Sequence, residues 1–308
     1  ARAGVDVQAL VRALVAGQVE LAAQIAQVSQ ASLFPLEEAA RGAYISGGMS
    51  SSDVLPRGMA ATFSFDGRHP RAEAWLRDVL GTEIQDIRDA TNAATREYLL
   101  TEVRRVTLEG QTDARTMRRI ALDLTGRMSP TTGRREGGIL GLTTQQAQYV
   151  LNARDDLAKL DPRYFSRAQR DRRFDPMVRR AMETGEPLGR ADIERITRGY
   201  RNRLLDYRGG GIARDMTFTA QAAGRHEGMA QIGERDDIER VEKRWQHSGV
   251  GKEPREDHVE MNGTVKRIDE PFEFSDALMQ YPHDPAGGAR HSIGCKCIAV
   301  YRAVPVRG

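Results

Sequence analysis

Apolar positions recur at steps of three and four over much of the chain. Val7, Val11, Leu14, Leu21, Ile25 and Val28 form the first such stripe, at coiled-coil period. It predicts one N-terminal helix, ended by Phe34-Pro35 because proline removes a donor and restricts the residue before it. The positions between are mostly Ala and Gln, so the helix needs a partner chain or the rest of its own fold to cover it. Residues 42–60 hold Gly47-Gly48, Ser50-Ser51-Ser52 and Pro56 and predict a linker. Thr62–Phe65 is a short extended piece, followed by an Asp66-Gly67 turn.

From Pro70, the stripe Leu80, Ile84, Ile87, Thr91, Ala94 and Tyr98 predicts a long helix reaching Val106 and stopped by Gly110. Thr112 is placed to cap a second helix bearing Met117, Ile120, Ala121 and Leu124. Residues 126–141 are Gly- and Arg-rich loop. Thr143 or Thr144 caps a third helix, which Asp161-Pro162 closes. Two more helices follow, near 174–184 and 191–207, and Gly209-Gly210-Gly211 predicts a sharp break. The next helix carries small residues at Ala213, Thr217, Ala220, Gly224 and Gly228, a spacing that lets another backbone approach closely. After Glu239, Trp245, Val250, Val259, Val265, Ile268, Phe272, Phe274, Ile293, Ile298 and Val300 lie among Gly and Pro turns, which predicts short strands, best in Cys297–Tyr301. The expected architecture is mainly α: helical N-terminal and middle regions with coiled-coil-like helices, then a small α+β domain. The expected divisions are 1–60, 61–240 and 241–308.

Composition agrees: of 308 residues, 40% are hydrophobic, 29% charged and only 6% aromatic, against a large β-sandwich. No apolar run is long enough to span a bilayer, and the start, Ala1-Arg2-Ala3-Gly4, lacks a signal-peptide pattern. The two cysteines do not make a disulfide scaffold.

Net charge is only +3, but its distribution is uneven. Between Arg163 and Arg208 lie thirteen arginines, no lysine and seven acids, an excess of six that leaves the rest of the chain acidic. Arginine without lysine suits bidentate contacts to phosphate. Arg163, Arg167, Arg170, Arg172, Arg173, Arg179 and Arg180 are therefore candidate nucleic-acid contacts, with a helical face of arginines bonded to nearby acids as the alternative.

Candidate chemistry lies near the C-terminus. In a strand, Cys295 and Cys297 would share one face, so both sulfurs could reach one point. With His258 and His291 they make an ordinary tetrahedral zinc set of two thiolates and two imidazoles, although the spacing is not that of a standard finger. The alternative is two half-buried thiols beside unrelated histidines. His69, His226, His247 and His283 have no constellation and are expected on the surface or as caps. No nucleophilic triad, phosphate-binding loop or paired-carboxylate motif stands out.

Several of these residues fall in a known order. Trp245, Arg255, His258, Met261-Asn262-Gly263, Asp269-Glu270-Pro271-Phe272, Tyr281-Pro282, Asp284-Pro285 and Cys295-Lys296-Cys297 resemble the Mu-F-like phage head morphogenesis family, the minor head proteins. The resemblance extends from about Phe63 to Tyr301. Gly141-Leu142-Thr143 with Gln146 and Asn152, then Arg208 and Ile212-Ala213-Arg214, carry its weaker parts. The family usually follows that triplet with Thr and Glu, where this chain has Asp215-Met216, and commonly has Arg where Lys296 stands. Some relatives carry Cys at the position of His258, an exchange a zinc ligand tolerates; His247 or Asp257 could stand in for His291. The resemblance implies a non-enzymatic minor capsid component of the virion, made in the host cytoplasm. It would bind the portal protein inside the procapsid, with scaffold or major capsid protein as further partners, and touch double-stranded DNA without sequence preference. The competing expectation is a metal-dependent nuclease or toxin-like enzyme using His258 and Asp257. With seven residues after Tyr301, no appended enzymatic domain is expected.

Overall fold

The computed structural model describes residues 5–306 except 132, 134, 137 and 250–253; Val250, expected in a strand, lies outside them. In chain order the helices and strands begin with α1 (Val7–Val15), α2 (Val19–Ile25), α3 (Phe34–Met49), α4 (Arg57–Ala60), α5 (Pro70–Ala74), α6 (Leu80–Leu108) and α7 (Ala114–Thr125). There follow β1 (Arg127–Met128), β2 (Arg135–Glu136), α8 (Thr144–Ala158), α9 (Asp175–Thr184) and α10 (Arg190–Gly233). The last part holds β3 (Ile238–Gln246), α11 (Glu256–Glu260), β4 (Val265–Arg267), β5 (Phe272–Glu273), β6 (Leu278–Met279), α12 (Gly288–Ser292) and β7 (Ile298–Pro305). The protein is mainly α with a small α+β C-terminal part, as expected. No described helix is long and apolar enough to cross a membrane.

The chain forms two compact units, each discontinuous in sequence. One joins Ala1–Leu33 to Gln85–Gly210, the other Phe34–Ile84 to Gly211–Gly308, in place of the divisions at 60 and 240.

In the first unit the N-terminal stripe is a hairpin of two short helices rather than one coiled-coil helix. Gly17, at φ +71°, takes the left-handed position after α1 that favours glycine. Asp6 caps α1 by accepting from Gln8 and Ala9 N–H. Leu10, Leu14, Ala22 and Ala26 are buried with Leu99, Val106, Ile120 and Leu124; of the stripe, Leu14 and Val28 are buried, Val7, Val11 and Ile25 partly so, and Leu21 is exposed. Asp113, one residue beyond the expected Thr112, caps α7, and Thr143 caps α8 in a full capping box with Gln146. A second cluster gathers Leu157, Tyr164, Val178 and Ile196.

The second unit corrects three expectations. Phe34-Pro35 begins α3 instead of ending a helix, since first-turn amides need no helical acceptor. Gly47-Gly48 lie inside α3, not in a linker. A Cβ on Gly47 would fall 2.2 Å from Gln221 O, and one on Gly224 1.9 Å from Tyr44 O. The small-residue stripe of α10 thus meets the backbone of α3 at Gly224 and Gly228 and is buried at Ala220, while Ala213 and Thr217 remain exposed. Lastly, α10 runs unbroken for 44 residues through Gly209-Gly210-Gly211. A Cβ on any of those three would meet nothing within 4 Å.

The small sheet has the order β4-β3-β7, all antiparallel, with Trp245 opposite Ala299 and Lys243 opposite Tyr301. A separate hairpin pairs β5 with β6. Lys243 is fully buried in β3 and donates to Ile268 O (2.9 Å) and Gln280 Oε1 (2.7 Å). Burial pushes its ammonium down to about 8, against the pull of the Asp284, Asp269 and Glu270 carboxylates.

Two outcomes follow for denaturation experiments. Gly224→Ala should cost about 3 kcal/mol, because the added methyl meets backbone that cannot turn aside. Gly210→Ala should instead gain about 1 kcal/mol of helix propensity. For Lys243, the unfolded side chain keeps its ordinary pKa of about 10.4. Between that value and 8 the unfolded state binds more protons, so wild-type stability rises with pH across the window. Relative to Lys243→Met the gain should approach about 3 kcal/mol; parallel stability profiles would show that the lysine is not buried as a cation.

Candidate metal centre

Three elements of the second unit converge on one histidine. His258 lies on α11 and is 1% exposed. Cys295 and Cys297 immediately precede β7 and are 2% and 3% exposed. The strand starts one residue later than the sequence pattern implies, yet both sulfurs still face inward while Lys296 between them is exposed. Cys295 Sγ is 3.6 Å and Cys297 Sγ 3.5 Å from His258 Nδ1.

Those separations suit a metal. A tetrahedral ion with about 2.0 Å to nitrogen and about 2.3 Å to sulfur sets N and S about 3.5 Å apart. The three ligand atoms lie within 4.8 Å of one another. The thiols are also electrostatically poised. Cys295 is drawn down to about 4, first by its hydrogen bond with Cys297 and then by His258, against burial. Cys297, facing that developing thiolate, is pushed up. The pair therefore gives up its first proton readily, as a metal site requires.

His291, expected as the fourth ligand, lies on the other side of the ring. Its Nδ1 is 3.0 Å from His258 Nε2, and its Nε2 is 2.9 Å from Asp276 Oδ1. The two imidazoles are nearly coplanar, at 5°. With Nδ1 of His258 turned to the thiols and Nε2 turned to His291, the four residues come together without sharing one centre. The arrangement is a relay, Asp276 to His291 to His258, of the kind that fixes the tautomer and orientation of a metal-binding imidazole. Asp257 is on the His291 side too, 3.8 Å from its Nδ1 and 3.2 Å from Arg290. His247 accepts from Gly249 N–H and joins neither group.

The walls are aromatic. Trp245, fully buried, meets His258, Phe272 and Phe274 edge-on at 5.2–5.3 Å. Met279 completes the cluster. Two residues the sequence left without a role hold the cysteine loop: Asp215 of α10 accepts from Gly294 N–H (3.1 Å), and Arg255 donates to Ile293 O (2.6 Å). Asp215 is invisible in sequence because its partner is 79 positions away. Of the remaining histidines, His69 caps α5 as expected, whereas His283 is buried and burial pushes half-buried His226 down to about 3.

The arginine segment belongs to the first unit. Arg167 and Arg170 are mostly buried in ion pairs with Asp156 and Asp175, which fasten the turn between α8 and α9. These two are structural, correcting their expected role at a phosphate. Arg163 and Arg173 are exposed but held by Asp161 and Asp171. Arg172, Arg179 and Arg180 are exposed and carry no ion pair among the described residues, and Arg179 lies 5.2 Å over the Phe165 ring.

No protein-family model matches the chain, and no solved structure does. Over 84 residues it is 35% identical to a Bacillus subtilis (strain 168) protein described as uncharacterized protein YqbB. That segment is 26% of this chain and 26% of the relative, so most of both lengths lies outside the likeness.

Metal titration distinguishes ligand from positioning residue. Cys295→Ser with Cys297→Ser should abolish binding of one ion per chain. His291→Ala and Asp276→Asn should each weaken it about 10- to 100-fold. Complete loss in His291→Ala, matching the cysteine variant, would mean that its ring turns inward to ligate.

Proposed function

We propose that this chain is a minor head protein of a tailed bacteriophage, with a structural zinc ion stapling its C-terminal part. One observation carries the reading. Trp245, His258, Phe272, Cys295 and Cys297, which carry much of the resemblance to the Mu-F-like head morphogenesis family, pack into a single buried cluster. Residues spread from 245 to 297 thus build one centre. Zinc suits the donor set: two thiolates and an imidazole, soft to intermediate, supply three of the four ligands a tetrahedron takes.

A structural role fits the burial, with all three donors at 3% exposure or less. A small sheet of three short strands gains much from such a staple. The nuclease reading needs a metal open to substrate, and His258 is sealed behind Trp245 and Phe274. The partners in this proposal are the portal protein, then scaffold or major capsid protein, and double-stranded DNA, in the virion and in the host cytoplasm during assembly. The N-terminal stripe argues less for the portal, because most of it packs on its own unit and Leu21 alone of its members is exposed. For DNA, Arg172, Arg179 and Arg180 remain as the exposed arginines without acid partners.

Quantitative mass spectrometry of purified DNA-filled particles tests this directly. The chain should be present at a few copies per portal, with one zinc each. Its absence from particles would overturn the assignment. Binding to random-sequence duplex DNA should weaken steeply with salt and fall further in Arg172→Gln with Arg179→Gln and Arg180→Gln; salt-independent binding would remove the DNA part.

A further inference from the structure

The second unit contains a cavity of about 290 Å³ that Lys296 and Cys297 help to line. We propose that it is a binding site for the carboxylate of an organic anion with a compact apolar body. Its volume is at the small end of ligand sites. Phe218, Pro282, Ile298 and Tyr301 supply apolar walls, and the polar groups are Arg225, His283, Lys296 and Gln221. No carboxylate lines it.

Arg225 lacks a partner, and burial keeps the neighbouring His283 from taking up a proton. Arg225 Nε is buried without a hydrogen-bond acceptor, and its guanidinium makes no ion pair among the described residues. Leaving a buried charged donor unpaired is costly, so the guanidinium favours a ligand that can accept from it. His283 is 5% exposed, and its Nδ1 also has no partner. Its backbone sits at φ +72°, a conformation rare for a residue with a side chain. Lys296 is exposed beside them, turned away from the metal centre by the same alternation that turns both sulfurs inward. Tyr301 is not a free donor, because its hydroxyl lies 3.2 Å from His226 Nδ1.

These groups select the ligand's chemistry. A guanidinium fork matches the plane of a carboxylate. Apolar walls on the remaining sides favour a ligand that is hydrocarbon next to its charge, and disfavour a bare phosphate, which would lose hydration without replacement. The same chemistry is found in a free small acid and in the last residue of a polypeptide, where the carboxylate adjoins an apolar side chain.

Calorimetric titration of the full chain tests the proposal with four probes: benzoate, N-acetylleucine, and their neutral amides. Each acid should bind about tenfold or more tightly than its amide, since only the acid pairs with Arg225. Benzoate binding tighter than N-acetylleucine assigns the site to a free acid; the reverse order assigns it to a chain end. Arg225→Gln should reduce the acids to the affinity of the amides while leaving the amides unchanged. Lys296→Gln, exposed and harmless to folding, should weaken the acids several-fold. Amides binding as well as acids, or no binding of any probe at millimolar concentration, overturns the proposal without reference to how the variants fold.

Discussion

Helix α3 and the later part of α10 touch backbone to backbone. Tyr44 O occupies the place where Gly224 would carry a side chain, and Gln221 O does the same at Gly47. Ser51 seals the seam by donating to Arg225 O. Everything in the second unit hangs on that approach. It fixes the stretch of α10 whose Asp215 holds the loop before Cys295. It also sets Arg225 and Phe218 at the cavity. Segments far apart in sequence become one body because Gly47, Gly224 and Gly228 take up no room.

The candidate metal centre has a different economy. Its key residue is used from both sides, with the thiols on one nitrogen of His258 and His291 on the other. A histidine buried in an apolar box and bonded at both nitrogens has one orientation and one tautomer at a time. That rigidity is what a small sheet cannot supply by packing alone. Zinc and a thiol–imidazole hydrogen bond call for nearly the same N–S separation, so His258 and the two sulfurs already stand at the spacing the ion needs.

Much of this was legible in sequence, and the failures have physical causes. Helices α6, α7 and α8 stood out because their apolar period is regular and their boundaries are marked locally, by Gly110 after α6 and by the caps at or beside Thr112 and Thr143. The four residues around the thiols were identified together because metal-ligating types are rare in this chain. Which nitrogen each would use is a matter of ring orientation, which no spacing encodes. Glycine misled twice. Gly47-Gly48 and Gly209-Gly210-Gly211 look alike as helix breakers, yet both lie within helices, the first demanded by a neighbouring backbone and the second tolerated because packing on either side overrides about 1 kcal/mol per residue. Pro35 misled for a related reason: the same residue that stops a helix also starts one. Asp215, Arg225 and His283 left no local signal at all, since each acquires meaning only from partners, or from missing partners, brought together by the fold.

The interleaving of the two units bears on how the protein is made. Residues 34–84 leave the ribosome early, but their unit is finished only by residues from Gly211 onward. At roughly 5–20 residues per second, that early segment spends many seconds without its partner. Its glycine-notched helix is then a half-interface exposed to other chains. A nascent polypeptide of this design has reason to complete synthesis quickly or to be held by a chaperone until its final strand arrives.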